Sequence, residues 1–166
     1  MKYVRKVKLG ARGFTLIEVI VSLVLLGIIT AIAGLGIVQI TRQYVFAQKT
    51  GETAQVAQIA MARMVKELAL VRRCTSSSAT SINFDTPTST GRTISWTGVS
   101  GAPILVNSQR LIDSIQSFTL SYYNTYDGTA TSSYIGTSTV MIGISFTVIG
   151  ADGITSTFSG RAFVRN

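Results

Sequence analysis

Gly13, Phe14 and Glu18 are the residues of this sequence most able to do chemistry. They stand where a basic segment meets a long apolar run, and Glu18 is the only charged residue from Phe14 to Ile40. A carboxylate inside a membrane-embedded helix costs roughly 2.5–3.5 kcal/mol on insertion scales. It therefore calls for a cation. A cation four residues away on the same helix, or one on a neighbouring copy, can meet Glu18. In a low-dielectric helical bundle such a pair offsets the desolvation that each ion suffers alone.

Other chemistries are poorly supplied. Histidine is absent and Cys74 is the single cysteine, which excludes an intrachain disulfide and a cysteine-rich zinc site. Cys74 reads as a small residue near a helix end, not a reactive thiol. There is no nucleotide loop, metal-ligand cluster or nucleophile–base set, so no catalytic residue, metal ligand or cofactor is expected. Asp85, Asp113, Asp127 and Asp152 fall in turns and strand edges. Calcium at Asp127 or Asp152 is the rival to simple turn formation there. The net charge is +8, but Lys2, Arg5, Lys6, Lys8 and Arg12 supply five of the 15 basic residues ahead of any acid. That excess orients a membrane segment with its leader inside and argues little for nucleic acid.

The elements that must position Glu18 follow from hydrophobic pattern. Ile, Val and Leu dominate 14–40, long enough at ~1.5 Å per residue to cross a bilayer. Gly27, Gly34 and Gly36 interrupt it, as membrane helices tolerate. A cleaved signal peptide is the competitor, since Ala31-Ile32-Ala33 has small-x-small form and would leave a terminus at Gly34. Against it stand the length of the run, its continuation through Ile37, Val38 and Ile40, and the acid near its start. A plain anchor, with Glu18 snorkelling or protonated, is the other alternative.

Gly13-Phe14-Thr15-Leu16-Ile17-Glu18-Val19, preceded by the basic leader and followed by the apolar run, resembles the processing site of type IV pilins and of type II secretion pseudopilins. The resemblance implies cleavage by a prepilin peptidase between Gly13 and Phe14, N-methylation of Phe14, and a role for Glu18 in assembly and register. It also implies residence in the bacterial inner membrane with a cytoplasmic N-terminus and a periplasmic domain, then transfer into a pilus or pseudopilus. The implied partners are the prepilin peptidase, sibling pilins, an inner-membrane assembly platform and lipid. The run lacks the proline common in major pilins, and one cysteine cannot form their C-terminal disulfide loop. Both departures favour a minor pilin or pseudopilin.

Beyond the run, 41–73 reads as the same helix turned amphipathic. Ala57, Met61, Met64, Val65, Leu68 and Val71 form its apolar stripe, and Arg72-Arg73 lie favourably at its C-terminus. Residues 74–81 are Ser/Thr-rich and read as a loop. Strands are then expected at 81–84, 93–96, 104–106, 117–123, 140–149 and 155–164, with apolar and hydroxylated residues alternating over 118–122 and, Ile149 excepted, over 142–149. Asp152-Gly153 marks a hairpin and Asp127-Gly128 a surface loop. Trp96, Phe118, Tyr122, Tyr123, Tyr126 and Tyr134 read as packing, with base stacking as the rival.

The expected organisation is a cleaved leader (1–13), a membrane and assembly helix (14–40), its amphipathic continuation (41–73) and a β domain (74–166). The fold class is α+β, one long helix packed on an antiparallel sheet. The order of a Trp-containing strand (Ile94-Ser95-Trp96), an Ile104-Leu105 strand, Leu111-Ile112 before Phe118–Tyr123 and a final hairpin ending in Arg165-Asn166 is loosely similar to J-type pseudopilins and W-type minor pilins. The alternatives are a DNA-uptake or adhesive tip pilin, and a membrane-anchored or secreted β-domain binding protein or enzyme.

Overall fold

Residues 13–164 are described by the structure, a computed structural model. The leader through Arg12 and the closing Arg165-Asn166 lie outside the described residues. The fold is α+β. Helix α1 (Leu16–Leu68) precedes eight strands: β1 (Arg73–Ser77), β2 (Ser81–Thr86), β3 (Ser89–Trp96), β4 (Ile104–Val106), β5 (Gln109–Ile112), β6 (Ile115–Tyr123), β7 (Met141–Ile149) and β8 (Thr155–Phe163). Every pairing is antiparallel. The first five strands form one sheet in chain order and the last three form another.

The chain divides into two units, Met1–Tyr44 and Val45–Asn166. In the first, α1 contains an 18-residue window of mean hydropathy 2.7, none of it buried. Its few hydroxyls satisfy themselves along the helix: Ser22 Oγ donates to the Glu18 carbonyl at 2.7 Å, Thr30 Oγ1 to Leu26 at 2.7 Å and Thr41 Oγ1 to Ile37 at 2.9 Å. A helix side with no water to satisfy polar groups needs this arrangement.

In the second unit, α1 buries Ala57, Ala60, Met64 and Leu68 against the sheets. The expected stripe is right in period, with Ala60 added and Met61 and Val65 half-buried beside it. Small alanines let the helix approach the strands closely. The strands meet it with alternating side chains, as one buried face requires. Ile142, Ile144, Phe146 and Val148 point inward from β7, while Gly143, Ser145 and Thr147 are only half-buried. Asp152 and Gly153, at φ 54° and 75°, make the expected β7–β8 turn, closed by Ile154 N–H to the Ala151 carbonyl at 3.1 Å.

Three expectations are corrected. The helix ends at Leu68 rather than Arg73. Leu70 and Val71 donate back three residues, to Glu67 and Leu68, and Arg72 N–H then reaches the Asp85 carbonyl at 2.9 Å. Arg72 and Arg73 therefore lie at the start of the sheet, not at the helix C-terminus. Arg73, expected in the helix, and residues 74–77, expected in the loop, form β1, paired with β2 around a bulge between Cys74 and Ser76. Finally, β5 is a strand of its own. The two-residue turn Asn107-Ser108 joins it to β4, both residues at positive φ (52° and 64°). Asn107 is held by a double contact with Thr93, its Oδ1 accepting from Thr93 N–H at 2.9 Å and its own N–H donating to the Thr93 carbonyl at 2.8 Å.

Candidate functional site at the helix N-terminus

Gly13, Phe14 and Thr15 precede the helix in non-helical backbone. Phe14 is 80% exposed, and a Cβ built on Gly13 would meet nothing within 4 Å. The Gly13–Phe14 bond therefore lies outside the hydrogen-bonded turns of α1. Glu18 is exposed and sits in the first turn of the helix.

Thr15 explains why the helix starts where it does. Its Oγ1 accepts the Glu18 N–H at 3.3 Å, while its carbonyl accepts from Val19 N–H at 3.3 Å. Thr15 is thus the N-cap and Glu18 the third helical residue, so Thr-x-x-Glu has the capping-box spacing. Sequence reasoning missed Thr15, although this spacing was the available signal. The cap fixes Phe14 one residue outside the helix. A cationic amine at that place faces the positive end of the helix dipole, which disfavours it; a carboxylate in the first turn is favoured by the dipole and by the amine together. Glu18 is therefore the one charge in the run that can make a cationic terminus tolerable there.

The other singled-out side chains serve the fold. Tyr122 is fully buried, donates to the Ser78 carbonyl at 3.0 Å and meets Tyr134 edge-on at 6.2 Å. Tyr134 N–H donates to Ser77 Oγ at 2.8 Å, tying this loop to β1. Burial, and secondarily the nearby Cys74, pushes the titration of both phenols up. Burial likewise raises the half-buried Cys74 thiol, the reverse of an activated nucleophile. Met64 is core. Trp96 donates through Nε1 to the Ala102 carbonyl at 3.2 Å. Arg92 of β3 pairs with Glu67 of α1.

The aspartates are not brought together. Asp85 Oδ1 accepts from Gly91 N–H at 2.8 Å, and Asp113 pairs with Arg110 at 3.2 Å. Asp152 sits in the turn after β7. Asp127 follows β6, whose last residue pairs with the first of β7. β7, roughly 26 Å long at ~3.3 Å per residue, separates the turn that holds Asp152 from the β6–β7 connection that holds Asp127.

Comparison with known sequences agrees with this geometry. The prokaryotic N-terminal methylation motif, which is type IV pilin-like, matches residues 8–34. No curated protein and no solved structure matches the chain. The motif and the exposed apolar helix together point to membrane anchoring and to a pilin-like or pseudopilin-like protein.

Proposed function

We propose that this chain is a minor pilin or pseudopilin, a structural subunit of a type IV pilus or a type II secretion pseudopilus. The observation that carries the reading is Gly13-Phe14 followed by Glu18 at the capped start of an exposed apolar helix, within the matched motif. The prepilin peptidase cuts between Gly13 and Phe14 and methylates the new terminus. The leader stays in the cytoplasm, the 14–40 segment spans the inner membrane, and the β domain lies in the periplasm until assembly. The assembly platform then draws the chain into a filament among sibling pilins.

In that filament the Phe14 ammonium of one subunit meets Glu18 of the same or the adjacent subunit. A displaced neighbour leaves one charge unpaired in an apolar surrounding, so the pair sets axial register even where it adds little net stability. Glu18→Ala tests this role. Processing and methylation should continue, because the scissile bond is untouched, while incorporation into filaments falls at least tenfold. Assembly of Glu18→Ala at the wild-type level removes the register role.

A further inference from the structure

The two sheets have four outer edges, and three of them are blunted. Strand β1 is five residues long and bulged, and its Ser77 receives Tyr134 N–H. Strand β5 has four residues, includes Arg110, and pairs with β4 through an irregular register. The outer edge of β6 is filled: Leu120 N–H donates to Ala79 at 2.7 Å, Tyr122 exchanges both bonds with Thr131, and the Ile115 carbonyl accepts from Gly101 N–H at 2.8 Å. Short, bulged or covered edges are how sheets avoid pairing with other chains.

Strand β8 is the exception. It runs nine residues in unbroken register with β7 and carries one charge, Arg161, and no proline. Val164 N–H donates to the Val140 carbonyl, so along this register the even-numbered residues bond to β7. Thr157, Ser159 and Arg161 consequently aim their N–H and C=O groups away from the sheet. All three are exposed, and among the described residues no backbone bond to them is found. The helix side of this edge is also unfinished. Met61 and Val65 reach over Gly160, where an added Cβ would sit 2.7 Å from Met61 Sδ and 3.4 Å from Val65 Cγ2. Both side chains, with Phe158, remain only partly buried.

We infer that β8 is a docking edge for an extended strand of a sibling subunit, which joins the β6–β7–β8 sheet as a fourth strand. This rests on the assembly reading above. Main-chain donors and acceptors at strand spacing are complemented by another extended polypeptide. The half-covered Met61, Val65 and Phe158 require its side chains to alternate, apolar toward the helix and polar away from it. A second copy offers no counterpart. Its β6 edge is filled and its β1 and β5 are short. Pairing β8 with β8 across a twofold axis would reverse the 45–68 part of α1 from one copy to the other, whereas subunits of one filament share a direction.

Amide hydrogen exchange on the full chain tests this, in detergent alone and in assemblies recovered from cells. Exchange at Thr157, Ser159 and Arg161 should slow on the order of 100-fold in the assemblies, while the even-numbered β8 amides are protected in both states. Equal exchange in the two states overturns the proposal. Concentration-dependent protection in the pure chain also overturns it, in favour of self-pairing. Thr157→Pro removes an outward N–H together with the 2.9 Å hydroxyl contact to Thr147, whereas Thr157→Val removes the hydroxyl contact alone, so β7 pairing should persist in both while co-assembly falls at least tenfold only in the proline variant; unchanged co-assembly of Thr157→Pro contradicts the edge. If Phe14 is methylated and Glu18→Ala blocks assembly while these β8 tests fail, only the strand-docking inference falls.

Discussion

Leu35 and Ile144 are both aliphatic and both lie in regular structure, yet Leu35 is 72% exposed and Ile144 only 2%. The contrast holds across the molecule. Leu, Ile and Val between Leu16 and Ile40 stand open on α1, whereas those of β2, β4, β6 and β7 close on Met64 and Leu68. At about 25 cal/mol per Å² of apolar surface, the first unit cannot leave so much exposed to water. Its stabilising partners must be lipid or other helices. The second unit completes its own core, so its stability belongs to the single chain. Hydrophobic residues thus carry two messages here, association in one unit and folding in the other.

Substitutions should separate the two messages. The largest effect on folding is expected at Phe146, which is 1% exposed and stacked on Phe158 with ring centroids 5.7 Å apart. Phe146→Ala should destabilise the β unit by about 3–5 kcal/mol in denaturant titration, with the Phe14 terminus still processed. Next comes Thr15→Ala, which removes the N-cap. It should cost about 1 kcal/mol of local helix stability, read as faster amide exchange in the first turn, and leave the β unit's midpoint unchanged. An equal shift in both readouts would break the separation.

Alkaline pH should also lower the stability of the β unit. Burial raises the folded pKa of Cys74, Tyr122 and Tyr134 above their ordinary values of 9.0, 10.0 and 10.0. Above about pH 9 the unfolded chain therefore releases protons that the folded chain keeps, and stability falls as pH rises. Their contribution is fully present below that range. The unfolding midpoint should be flat from pH 7 to 8.5 and decline toward pH 11, less steeply in Cys74→Ser. The smallest effect is expected at Ser108, which holds φ 64° without being glycine. Ser108→Gly should raise stability by about 0.5–1 kcal/mol.

What the sequence disclosed follows the same division. The N-terminal site was legible because its signal is local: glycine, an apolar run and one stranded acid in fixed order. Strands β2, β6, β7 and β8 were legible because alternation marks them, and β4 because three aliphatic residues stand together between turn residues. Strand β1 was hidden because Arg-Cys-Thr-Ser-Ser has no aliphatic residue, and only pairing with β2 makes it a strand. Strand β5 was hidden because Asn107-Ser108 lacks the glycine that usually announces such a turn; a long-range contact with Thr93 substitutes for it. The end of α1 carries no glycine or proline to mark it, and the chain past Leu68 turns instead to a backbone bond between Arg72 and Asp85. Local chemistry was readable, and structure imposed from a distance was not.

Mass spectrometry of the N-terminal peptide, on protein isolated from membranes of the native host, bears most directly on the role of the first unit. The account predicts a chain beginning at Phe14 with a methyl group on its amine. A chain that retains its lysine-rich leader, or that begins at Gly34 beyond the apolar run, would contradict it.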